Sequence, residues 1–169
     1  MLNPIINTID ALIDWQGKVS SFVIYPLVGI VLYEVVMRYA FNAPTVWGFE
    51  ATTFAYGVHF MLGLSLMERY GGHVRVDIIS SRLPERAQAG LGVLTYAVIF
   101  VPVYSIMTWA AFRYAYTSTV TNELNSTSWA PPIWPFKIIM AVCFLFLTLQ
   151  GISTMLKHVQ ILAGATKPS

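Results

Sequence analysis

Four long apolar segments, divided by short polar stretches, set the limits on this fold. From about Val19 to Tyr39 the only charges are Glu34 and Arg38. From about Trp47 to Met67 there is only Glu50, from about Ala87 to Phe112 none, and from about Pro135 to Leu156 only Lys137. Each segment suffices to cross about 30 Å of hydrocarbon, which takes roughly 20 helical residues. The chain is 56% hydrophobic and 11% charged, where soluble domains carry about 25% charge. A water-soluble fold of 169 residues has too little interior for that much apolar surface. The expected fold is an all-α membrane protein, one domain over 1–169, with four spans at 19–39, 47–67, 87–112 and 135–156.

Basic residues give the orientation. Lys18, Arg69, Arg75, Arg82, Arg86, Lys157 and Lys167 fall on one side; Arg38, Arg113 and Lys137 fall on the other. Both termini and the loop 68–86 are therefore expected in the cytoplasm, with 40–46 and 113–134 outside. Tyr39, Phe41, Trp47, Trp109, Tyr114, Tyr116, Trp129 and Trp134 gather near the outer boundary, where amphipathic rings settle. Trp47 and Trp134 are its expected anchors. The N-terminus lacks a basic stretch before its first apolar run, so no cleaved signal peptide is expected. Ile5, Ile9, Leu12, Ile13 and Gln16 recur at helical spacing opposite Asp10 and Asp14, which predicts a separate interfacial helix over 4–17. Pro84 suits the first position of the third helix.

Charges inside a membrane need partners. Glu34 and Arg38 are four apart on one helix face. With only seven residues between spans one and two, Glu50 is expected to join them in a Glu34–Arg38–Glu50 cluster. That cluster either locks the hairpin or handles an ion or proton. His59, mid-span, is read as a hydrogen bond between helices, with a haem ligand or proton path as alternatives. Cys143 is read as a buried apolar residue. The net charge of +2 is too small to imply nucleic acid. Phosphate loops, nucleophile elbows and metal-ligand spacing are missing, so no enzyme, catalytic residue, metal or cofactor is expected.

The polar stretch Gly71-Gly72-His73-Val74-Arg75-Val76-Asp77 follows Arg38-Tyr39-Ala40-Phe41-Asn42 and Trp47-Gly48-Phe49-Glu50. With Pro132-Ile133-Trp134-Pro135 and Leu149-Gln150-Gly151, this order resembles the small membrane subunit, DctQ type, of tripartite ATP-independent periplasmic (TRAP) transporters. The resemblance implies a multi-pass protein of the bacterial inner membrane. It implies a scaffold pairing with a large transport subunit, a separate polypeptide that holds the sodium and substrate sites. It further implies a periplasmic substrate-binding protein as partner, and uptake of organic acids such as C4-dicarboxylates or sialic acid by sodium symport. Gly72, His73 and Asp77 would form the family's cytoplasmic motif. Arg69, Arg75, Arg82 and Arg86 would contact phospholipid headgroups or the partner, and Arg113, Glu123 and Trp129 the periplasmic protein. A redox-enzyme anchor using His59 and a small ion channel are the competing functions.

Overall fold

The computed structural model describes residues 3–71 and 83–164. Gly72, His73, Arg75, Asp77 and Arg82, in the expected cytoplasmic loop 68–86, lie outside the described residues. The described residues are helical, with one isolated bridge, Leu124 to Pro132, outside the helices. The elements are α1 (Asn3–Tyr39), α2 (Gly48–Arg69), α3 (Glu85–Thr95), a π-helical turn (Tyr96–Phe100), α4 (Val101–Val120) and α5 (Trp134–Leu162).

α1 is one helix of 37 residues, about 55 Å at 1.5 Å per residue. The expected separate helix over 4–17 is thus fused to the first span. Gly17 is the one candidate break, and a lone glycine does not stop a helix. Here it admits α2, because a Cβ at Gly17 would lie 2.7 Å from a methyl of Leu66. Pro26 lies inside α1, where a transmembrane setting tolerates it.

Residues 85–120 run on as one rod through the π turn, in which the Val101 N–H reaches back five residues to the Tyr96 carbonyl. Pro102 supplies the cause. It has no N–H, and its ring would clash with the carbonyl four residues back, at Val98. One wide turn absorbs both faults. The rod also extends eight residues beyond the expected end at Phe112, so Arg113, Tyr114 and Tyr116 are helical and the connection to α5 covers only 121–133. Pro84 stands one place before the expected position: its carbonyl accepts from Ala87 and Gln88 at 2.8 and 3.1 Å.

Among the described residues, three stretches are long and apolar enough to cross a membrane: α1, residues 86–120, and α5. α2 has the length, at 22 residues, but not the apolarity. α5 is the inner helix, with 39% of its most apolar stretch buried against 6% in the other two. α1 and α2 pack as a hairpin, and α5 lies against both and against α3 and α4. Small side chains bring α4 and α5 together: Ala111, Ala115 and Ala141 form a buried cluster edged by Met140 and Phe144. The Thr108 and Thr148 hydroxyls bond at 2.9 Å. Such contacts hold helices where lipid removes the hydrophobic drive to associate. Cys143 is buried beside Leu147.

Candidate functional site

At one end of the bundle, Arg38 Nη2 lies 2.8 Å from Glu34 Oε1. Arg38 is on the outside, 52% exposed, and Glu34 inside, 13% exposed. The other carboxylate oxygen of Glu34 accepts from the Thr45 hydroxyl, and from the Thr45 N–H at 3.3 Å. Thr45 Oγ1 accepts in turn from the Gly48 N–H at 3.1 Å, where α2 begins. Gly48 must be glycine, since a Cβ there would sit 2.5 Å from Glu34 Oε2 and 2.6 Å from Thr45 Oγ1.

Glu50 is not in this cluster. Two residues past Gly48 it points roughly 200° around α2, into the bundle. There it is buried and accepts from Asn125 Nδ2 at 3.1 Å. The expected Glu34–Arg38–Glu50 trio is therefore a Glu34–Arg38 pair closed by Thr45 and a separate buried carboxylate held by a loop.

That loop is a built strap. Asn125 N–H bonds Pro131 O at 2.9 Å and Ile133 N–H bonds Glu123 O at 3.0 Å. Asn122 (φ 45°) and Ala130 (φ 48°) take left-handed backbone, which Asn tolerates and Ala adopts at about 1–2 kcal/mol. Lys137, in the first turn of α5, lies 2.5 Å from Glu123 and 3.7 Å from the centre of the Tyr114 ring. The ammonium beside Glu123 holds its carboxyl below the ordinary value. Trp129 packs on Trp47 at 6.4 Å between ring centres, and Trp47 stacks on Tyr33 at 5.7 Å. Trp134 is half-buried at the start of α5. Of the residues expected to meet a periplasmic protein, Glu123 is committed to Lys137 and Arg113 lies over Trp109 on α4. Trp129 remains 42% exposed, and Leu124, which the sequence did not single out, is 58% exposed.

The opposite end is knitted helix to helix. Asp10 of α1 meets Lys157 at 2.7 Å, Ser153 at 2.9 Å and Gln150 at 3.4 Å, all on α5. Asp14 pairs with Arg69 at 2.8 Å and accepts from the Tyr70 hydroxyl at 3.0 Å. Arg69, expected to hold headgroups, is therefore turned inward and taken. Arg86 is exposed on α3. Glu68 is buried and accepts from the Tyr96 hydroxyl.

Between the ends, Gln16 donates to Leu62 O at 2.5 Å and accepts from Ser65 at 2.6 Å. His59 Nδ1 lies 2.9 Å from the Ser20 carbonyl, so it carries the hydrogen. His158 instead packs on Tyr96, 5.9 Å between ring centres. The two histidines serve different helix contacts.

The sequence matches the family model for Tripartite ATP-independent periplasmic transporters, DctQ component, over residues 27–161. It is 25% identical over 96 residues to the sialic acid TRAP transporter permease protein SiaT of Haemophilus influenzae, covering 57% of this chain and 15% of that protein. It is 24% identical over 132 residues to the sialic acid TRAP transporter small permease protein SiaQ of Vibrio cholerae, covering 76% of this chain and 72% of that one. With three helices able to span, it is a multi-pass protein of the inner membrane, and it belongs to the DctQ component family of the tripartite ATP-independent periplasmic transporters.

Proposed function

We propose that this chain is the non-catalytic scaffold subunit of a sodium-coupled TRAP importer, paired with a large transport subunit. It crosses the membrane four times with both termini in the cytoplasm. The carrying observation is the division of its surface. Polar groups largely close inward on one another, while Phe22, Val28 and Leu32 of α1 and Val98, Ile99 and Ile106 of α3–α4 stay outside. Such a body is a wall built to be covered, by lipid and by a larger membrane protein. The relatives are transporter permeases, which favours this over a redox anchor or a channel.

The strap 121–133, with Leu124 and Trp129 outermost and Arg113 beside it, is the surface offered to a periplasmic substrate-binding protein. Arg86, with Arg75 and Arg82, serves anionic headgroups on the opposite side, each worth about 1 kcal/mol. Sodium binds on the partner subunit, and the cargo is a carboxylate, sialic acid or a C4-dicarboxylate being the classes the relatives and the resemblance suggest. The deciding experiment is an affinity pull-down from native membranes in mild detergent with mass spectrometry, joined to uptake assays in single-gene deletions. Recovery of a large multi-span protein in equal amount, and loss of uptake on deleting either gene, is the expected result. Full uptake without this chain overturns the scaffold role.

A further inference from the structure

α2 is the helix least suited to lipid, yet it has a bare face. Phe49, Thr53, Tyr56, Phe60 and Met67 are exposed at spacings of three, four and seven, which puts them on one side. Gly63 falls in the same row, and a Cβ there would meet no atom within 4 Å. On the edge of this face stands His59. Its Nδ1–H is spent on the Ser20 carbonyl, so in the neutral ring Nε2 carries a lone pair. Nε2 has no bond among the described residues and is not sealed within the chain. Tyr56 is 57% exposed, and its hydroxyl is likewise unbonded among the described residues.

Hydrocarbon offers such an acceptor nothing, and a ring pinned at Nδ1 in mid-span cannot reach up to the headgroups. The face also continues into a groove of about 250 Å³ between α1 and α2, lined by Val31, Val35, Phe49 and Thr52 with Arg38 at its rim. On α4, by contrast, exposed Val103, Ile106 and Met107 suit acyl chains.

We propose that the outer face of the α1–α2 hairpin, centred on His59, is where the large membrane subunit packs, and that an N–H or O–H of that subunit donates to His59 Nε2 at mid-membrane depth. This rests on the pairing proposed above and adds which face is used and the bond that fixes its depth.

The test uses the two-subunit complex from cells producing both proteins. A photo-crosslinking amino acid replaces Tyr56 or, as reference, Ile106. The expected product is an adduct of this chain with the large subunit from position 56 and none from 106. Gly63→Leu fills space empty in this chain, so its own yield and Tm stay unchanged while recovery of the large subunit falls at least tenfold. His59→Asn keeps an amide N–H for Ser20 and removes Nε2; recovery falls severalfold. Adducts from 106 and not 56, adducts joining two copies of this chain at 56, or full recovery with Gly63→Leu overturn the face assignment while the pairing stands. Full recovery with His59→Asn overturns the bond. If the unaltered chain brings down no large subunit, the pairing itself fails.

Discussion

The two ends of the bundle solve the same problem differently. At the Glu34 end, charges are settled by short connections: Thr45 and Gly48 close on Glu34, and the strap brings Asn125 to Glu50 and Glu123 to Lys137. At the Asp10 end they are settled directly between helices, Asp10 with Lys157 and Asp14 with Arg69. Turns hold groups rigidly but tolerate little change around them. Long side chains reaching between helices leave room to adjust.

The sharpest way to break this contrast is to add side chains at matched glycines. Gly48→Val should cost about 3 kcal/mol, because the new carbons must expel a bonded carboxylate. Gly17→Val should cost about 1 kcal/mol, since only the tip of Leu66 has to move. Thermal unfolding in detergent checks both, and equal losses would erase the difference. Next come the two lysines. Lys137 is 7% exposed and Lys157 37%. Lys137→Met should therefore destabilise by about 2 kcal/mol and Lys157→Met by about half that, after allowance for the solvent that reaches Glu123 and Lys157. Unfolding midpoints in one detergent rank them.

A smaller effect is read through pH. Lys137 depresses the Glu123 carboxyl, so this bridge stabilises the fold above the ordinary carboxylate range and is lost as pH falls through the lowered value. An acid titration followed by Trp fluorescence should show the loss, and Glu123→Gln should abolish that part of the pH dependence. Smallest is Arg38→Ala, below about 0.5 kcal/mol, because Arg38 is half-exposed and Thr45 still serves Glu34. A large loss would restore the three-member cluster that the structure divides.

These same differences decide what the sequence revealed. Glu34 and Arg38 pair because they are four apart in one helix, and i,i+4 geometry is fixed by the backbone alone. The apolar segments and the His59 bond to a neighbouring helix follow from the need to satisfy every polar group in lipid. Glu50 was misplaced because depth is read from residue count, whereas the face depends on the phase at which α2 starts, and that is fixed by the Thr45–Gly48 turn. Asp10 and Lys157 are 147 positions apart, and nothing local announces them. The unbroken α1 was also hidden: its early polar face looked fit for a membrane surface but is spent on α5 and α2.

The π turn has a consequence for the arithmetic of the third rod. One surplus residue in a turn shifts everything after it by about 100°. α3 and α4 are therefore two screws of different phase, both seated against the same α5, with the Phe100 ring in the space left by Gly151 at the joint. Removing a single residue from 96–100 would make the rod a more regular helix and a worse fit, since Thr108, Ala111 and Ala115 would swing away from α5 together. In this chain the irregular turn is the splice that lets one long helix keep two appointments.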